Sequence, residues 1–372
     1  MNNIAISANT SWYLYNFRKN TIKALLKNGY NVYAIAPIDE YSSKLECLGV
    51  KYIDIFIDQG GTNPFLDIKT IVAFRRILLR NNIAVLLNFT PKNNIYGAIA
   101  AATCGVKVIN NVAGLGTLFV NNSFTLKIAI LLYRFSLSFV DKVFFQNAED
   151  RDLFINKKLV DSEITDILPG SGADLTRFSV CPASDDGTIR FLLVARMLYE
   201  KGIQHYVEAA RFLKAKYPNI LEFRLLGFLD VNNPSAVTKE QMNIWSEEGS
   251  IIYLGVSDHV EYEISQVDCV VLPSYYREGV PKSLLEAGAM GKMLVTTNNV
   301  GCRETVEHGV NGYLCEPRST ASLIEKLELV INLSHQQRLA MGNASRLKIE
   351  KEFDESIVIS KYISTIKNLL IQ

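Results

Sequence analysis

The stretch "VDCVVLPSYYREGVPKSLLEAGAMGK", residues 267–292, decides the reading of the chain. Cys269–Leu272 is a short apolar run of strand formers. Gly279 and Pro281 forbid helix around Glu278. The residues that follow Pro281 are good helix formers and carry Glu286 on the second turn. Strand, loop and helix in that order are one step of a doubly wound parallel sheet, whose ligands lie beyond the carboxyl ends of the strands. Pro281 suits a first helical turn, where a missing N–H is harmless. The free N–H groups of that turn, Lys282 included, favour an anion. Gly279 lets backbone approach a ligand closely, and Glu278 and Glu286 accept hydrogen bonds from hydroxyls. A phosphate between two sets of hydroxyls describes a nucleotide sugar. Glu286 taken alone is equally a solvated helix residue.

A second stretch, "IRFLLVARMLYEKG" at 189–202, ends a strand at Arg196 and continues into a loop with Lys201. A guanidinium fork and an ammonium point charge at such a strand end can hold a diphosphate. They can also be two solvated cations.

The same alternation runs the length of the 372-residue chain. Strands are expected at Ile4–Ala8, Val32–Ala36, Tyr52–Ile57, Val85–Phe89, Val108–Val112, Val143–Gln146 and Ile164–Leu168. They continue at Phe191–Val194, Phe223–Leu226, Ile251–Leu254, Cys269–Leu272 and Met293–Thr296. Helical segments fall between them, among them Phe17–Asn28 and Pro64–Leu79. Continuous apolar strands imply parallel sheets covered on both faces. The length favours two domains. The expected architecture is therefore α/β: a domain over 1–172, a Gly/Pro/Ser-rich linker over 173–188 and a second domain over 189–355. A final helix over 356–372 should pack back towards the first domain.

Net charge is +1 with 21% charged residues, which excludes a polyanion binder such as a nucleic-acid protein. Residues 1–175 carry 18 Lys+Arg against 14 Asp+Glu, so the first half is the basic one. Six scattered cysteines form no C-x-x-C pair and have no zinc spacing, which reads as a reduced, cytoplasmic protein without a metal. "FTLKIAILLYRFSLSFV", 124–140, carries Lys127 and Arg134 seven apart on one face. It is too short and too charged to span a bilayer. It is either a helix packed on a sheet or an interfacial one.

Glu278-x7-Glu286 within "EGVPKSLLEA", with R-x4-KG at Arg196–Gly202, resembles the retaining glycosyltransferases of family 4. "LPGSGADLTRF" (168–178) and "GCRETVEHGVNGYL" (301–314) resemble further blocks of that family. The resemblance implies the GT-B fold, two doubly wound Rossmann-like domains facing a central cleft. It implies that Arg196 and Lys201 hold the donor diphosphate. Glu278 would then face the donor sugar and Glu286 the ribose, with Ser171, Gly279, Val280, Pro281 and Lys282 completing the donor site. Val280 stands where the family usually has Phe.

"SWYLYNFRKNTIKALLKNGYNVYAIAP", "TPKNNIYGAIAA" and "VINNVAGLGTLF" are similar to bacterial transferases that extend polyprenyl-diphosphate-linked sugars for O-antigen, capsule or N-glycan precursors. Several of these transfer N-acetylgalactosamine from a UDP-sugar. "SANTSWYLYNFR" replaces the family's glycine-rich first loop and is expected to line the cleft. Arg18, Lys92 and Asn93 are the candidates for the acceptor diphosphate or the donor phosphates. The acceptor implied is undecaprenyl-diphosphate-linked, met at the inner membrane surface by a peripheral protein, with no cofactor and no metal. A sugar-nucleotide 2-epimerase of the same fold, a transferase with a soluble acceptor, and a non-catalytic sensor remain open alternatives.

Overall fold

A computed structural model describes residues 2–58, 63–115, 124–229, 231 and 233–371, with the side chains of 124–127 outside the description. The chain divides into two compact units: 1–171 with 356–372, and 172–355.

The first unit holds a seven-stranded parallel sheet. Its strands are β1 (Asn3–Ser7), β2 (Asn31–Ala36), β3 (Lys51–Asp54), β4 (Ile83–Asn88), β5 (Lys107–Val112), β6 (Lys142–Phe145) and β7 (Thr165–Ile167). Their order is β3-β2-β1-β4-β5-β6-β7, so the winding reverses between β1 and β4. The second unit repeats the plan with β8 (Ile189–Val194), β9 (Leu221–Leu226), β10 (Ile252–Tyr253), β11 (Cys269–Leu272), β12 (Met293–Thr297) and β13 (Gly312–Cys315). The order is β10-β9-β8-β11-β12-β13, and the reversal falls between β8 and β11. Every strand pairing in both sheets is parallel.

The apolar strands are buried as two-sided cover requires: β11 is buried at all four positions. Each sheet separates two hydrophobic layers. Strand β13 was missed by the periodicity reading. It begins on a glycine, is only half buried and lies at the sheet edge, so no continuous apolar run announces it.

Two expectations need correction. "SANTSWYLYNFR" is mostly not a loop. Thr10 caps a helix by accepting from the Tyr13 N–H at 3.0 Å, and the helix runs from Ser11 to Lys27, six residues earlier than expected. Residues 173–188 are not a free linker either. The Ala173 N–H donates to the Phe353 carbonyl at 2.8 Å, Phe178 is buried, and Arg177 grips Glu261 at 2.7 Å. The polar composition hid these anchors.

The helix Glu355–Ile371 inserts Val358, Tyr362 and Ile366 into the core layer over β1, β2 and β4 of the first unit. Tyr362 donates to Asn111 Oδ1 at 2.5 Å and meets Phe89 and Phe144 edge-on. Tyr362→Ala is therefore expected to destabilise the first unit by about 3–5 kcal/mol, the scale for truncating a buried aromatic. Urea unfolding followed by first-unit probes would check this. A midpoint unchanged from wild type would show that the helix is not part of that core.

Candidate active site

In the second unit, the loops that leave β8 and β11 meet where the winding reverses. Gly202 makes the meeting possible. Its φ is +78°, and a Cβ there would stand 2.1 Å from the Pro273 carbonyl oxygen. The Glu200 carbonyl accepts from the N–H groups of Tyr275 and Tyr276 at 3.0 and 3.3 Å, which pins the two loops together. A third loop joins at Gly301, where φ is +82° and an added Cβ would lie 1.7 Å from the Gly279 carbonyl oxygen. The Asn299 Nδ2 donates to the Tyr276 carbonyl at 2.9 Å.

This framework brings Lys201 and Glu278 into a direct ion pair, although 77 residues separate them. Both side chains are largely buried, at 15% and 11% exposure. The Lys201 ammonium also lies 5.3 Å from the centre of the Tyr276 ring. Ser274, fully buried, donates its hydroxyl to Glu278 Oε1 at 2.8 Å, and Thr297 holds the Ser274 carbonyl at 2.5 Å. Sequence reading missed Ser274, because an isolated serine after a strand carries no pattern. Two carboxylate partners and a fixed loop give Glu278 one orientation.

Glu286 is on the helix Lys282–Ala289, for which Pro281 is the N-cap residue. It is 9% exposed. Burial pushes its carboxyl above the ordinary 4.5, against the opposing pull of Lys282 and Arg177. Lys282 Nζ lies 3.8 Å from its Oε1. Arg177 reaches this neighbourhood from the segment read as a linker. Glu286 is thus not the solvated helix residue that was the plain alternative. Val280 packs in the apolar cluster beneath the helix. Cys302 lies close to Glu278 and Lys201, and burial raises its thiol to about 12, so it stays protonated. Arg196 is exposed, two residues after the end of β8.

The first-unit candidates are placed differently. Lys92 follows β4 and pairs with Asp67 at 2.9 Å. Asn93 is buried, accepting from Thr90 at 2.7 Å, while its Nδ2 has no partner. Arg18 is not on a loop or a helix surface. It is 1% exposed, with its guanidinium carbon 4.3 Å from the centre of the Phe89 ring and its Nη2 donating to Tyr13 at 3.2 Å. Its Nε and Nη1 are buried without a hydrogen-bond partner. Ser171 is buried at the end of the first unit. At the carboxyl-terminal ends of β1, β4 and β5, hydrogen bonds link Ser7, Asn88, Asn110 and Asn111 with Asn94, and Asn111 also accepts from Tyr362.

Comparison with known proteins fits both sheets. Residues 3–147 match the glycosyl transferase 4-like model, and residues 179–348 match the model of glycosyl transferases group 1. The chain is a two-domain glycosyltransferase.

The N,N'-diacetylbacillosaminyl-diphospho-undecaprenol alpha-1,3-N-acetylgalactosaminyltransferase of Campylobacter jejuni is 28% identical over 94% of each chain. The UDP-Gal:alpha-D-GlcNAc-diphosphoundecaprenol alpha-1,3-galactosyltransferase of Escherichia coli is 25% identical, covering 82% of this chain and 79% of that one. Among solved structures, sucrose-phosphate synthase of Thermosynechococcus elongatus has a TM-score of 0.81 at 16% identity over all of both chains. Anabaena HepE in complex with UDP-glucose has 0.78 at 17%, covering 98% and 99%. These likenesses establish the GT-B fold of this glycosyltransferase.

The raised Glu286 carboxyl gives a pH test. Between 4.5 and the raised folded value the unfolded chain ionises first, so the unliganded fold loses stability as pH rises. Glu286→Gln removes that loss. The variant should be more stable than wild type near neutral pH, and the gap should close as pH falls towards 4.5. Thermal melts across that range would show it, and a gap that widens on acidification would contradict it.

Proposed function

We propose that this glycosyltransferase moves a hexose or N-acetylhexosamine from a UDP-sugar to an undecaprenyl-diphosphate-linked sugar in surface-polysaccharide assembly, with retention at the anomeric carbon. N-acetylgalactosamine is the preferred donor sugar of this reading, by likeness to the Campylobacter relative. The observation that carries the proposal is the Lys201–Glu278 pair, buried against Ser274 at the switch point of the second sheet. A carboxylate and an ammonium held there, beside the start of the Lys282–Ala289 helix, supply one group for each half of a nucleotide sugar.

In this reading the donor separates the pair. Lys201 turns to the diphosphate, joined by Arg196 and the N–H groups around Gly279, Val280, Pro281 and Lys282. Glu278, freed from the ammonium but still held by Ser274, accepts hydrogen bonds from the sugar. Glu286 accepts from the ribose hydroxyls. The sugar C1–O bond to the diphosphate then breaks and a bond from C1 to the acceptor oxygen forms on the same face. The acceptor proton passes to the departing diphosphate. Preorganised cations stabilise the charge that develops there, so the step uses neither a metal nor a cofactor. The acceptor is assigned to the first unit, with Lys92 and Asn93 for its diphosphate. Arg18 serves from the interior, holding the Tyr13–Phe89 wall. The acceptor lies in a bilayer, so the protein works peripherally at the cytoplasmic face of the inner membrane. Among the described residues no helix is long and apolar enough to cross a membrane.

Lys201→Ala should lower kcat/KM by about 3 kcal/mol, roughly two orders of magnitude, the scale for one preorganised donor. Glu278→Gln should act mainly on kcat, because its contacts lie at the reacting sugar. Glu286→Gln should act mainly on UDP affinity. The assay follows UDP release from UDP-N-acetylgalactosamine with a polyprenyl-diphosphate-linked sugar. Wild-type turnover in Lys201→Ala would overturn the diphosphate assignment, and a new epimer formed without acceptor would overturn the transfer reaction.

A further inference from the structure

The helix Pro64–Arg80 of the first unit is apolar on two opposite sides. Thr70, Phe74 and Leu78 face inward and are buried, the latter two within the sheet-covering core. On the far side Phe65, Ile68, Val72 and Leu79 are 76%, 57%, 42% and 46% exposed. At 100° per residue these four fall within about 60° of arc. Lys69, Arg76 and Arg80 flank this stripe on one edge and Arg75 on the other, all exposed. The helix's one acidic side chain, Asp67, is turned away from the stripe and pairs with Lys92. The helix Phe124–Leu137 packs Tyr133 and Leu137 into the same core layer. Outward it shows Ile128, Leu131 and Phe135 at 45%, 65% and 54% exposure, with Phe139 just beyond its end.

A helix at an ordinary protein surface is polar on its outer face. An apolar stripe edged by cations on both sides, on a helix with no carboxylate on that side, matches an anionic bilayer: apolar side chains enter the acyl boundary and the cations meet the phosphates. We propose that the outer face of Pro64–Arg80, with that of Phe124–Leu137, is the surface by which the protein docks on an anionic lipid bilayer. This rests on the reading of a lipid-linked acceptor. The Asp67–Lys92 bridge ties the first turn of the docking helix to the cation assigned to the acceptor diphosphate, so one helix serves both depths. The cations make the contact reversible and sensitive to salt.

The test uses co-sedimentation of the full chain with vesicles of phosphatidylglycerol and phosphatidylcholine. Wild type should bind, and binding should fall as salt rises. The paired substitution Phe65→Glu with Ile68→Glu, at exposed positions that leave the core intact, should reduce vesicle partition on the order of tenfold. Phe212→Glu with Leu347→Glu, exposed in the second unit, should bind as wild type. Transfer to a water-soluble short-prenyl acceptor should be kept by the Phe65/Ile68 variant, while transfer to acceptor in vesicles should drop. Failure of wild type to use the soluble acceptor would count against the transferase reading, separately from docking. Vesicle binding by the Phe65/Ile68 variant equal to wild type would overturn the docking surface, as would no binding by wild type. A dimeric wild type, made monomeric by the variant with vesicle binding unchanged, would assign the face to a second copy instead and overturn the proposal.

Discussion

The backbone at Gly202 touches the Pro273 carbonyl, and the whole candidate site follows from that approach. A Cβ at 2.1 Å from that oxygen could not be accommodated, so only glycine lets the β8 loop lie against the β11 loop. With the loops in register, Lys201 reaches Glu278, and Glu200 binds the N–H groups of Tyr275 and Tyr276. The same demand returns at Gly301, which lets the loop after β12 pass the Gly279 carbonyl. Three loops from three adjacent strands are packed backbone to backbone, and their side chains have little freedom left.

A buried ion pair of this kind adds little to stability by itself, since desolvation offsets much of the Coulomb attraction. In the proposed reading its value is as a placeholder for the donor. An ammonium and a carboxylate held together in this way satisfy each other without ligand. In that reading a diphosphate would take the ammonium and sugar hydroxyls the carboxylate. Glu286 lacks so close a partner: its nearest cation is 3.8 Å away, and burial raises its carboxyl. In the proposed reading, the ribose hydroxyls would supply the hydrogen-bond donors that this buried carboxylate lacks.

Much of this was legible in the sequence. Twelve of the thirteen strands announced themselves as continuous apolar runs, and the spacing of Glu278, Gly279, Pro281 and Glu286 read correctly as loop then helix. What stayed hidden depends on contacts between distant segments. No local pattern shows that Ser274 would orient Glu278, or that Arg177 would reach the surroundings of Glu286. Arg18 reads as a candidate for a diphosphate, and nothing local shows that it is buried. Tyr13, Phe89 and Tyr362, from three remote parts of the chain, enclose it. Strand β13 is short and half buried, so its identity comes from pairing with β12 rather than from composition.

The central claim is that the donor replaces the Lys201–Glu278 contact with contacts of its own. A crystal structure of the protein with an unhydrolysable UDP-N-acetylgalactosamine analogue tests it most directly. The account predicts the Lys201 ammonium on the diphosphate, Glu278 held by Ser274 and facing the sugar, and Glu286 on the ribose. A nucleotide bound elsewhere, with the Lys201–Glu278 pair intact beside it, would contradict it.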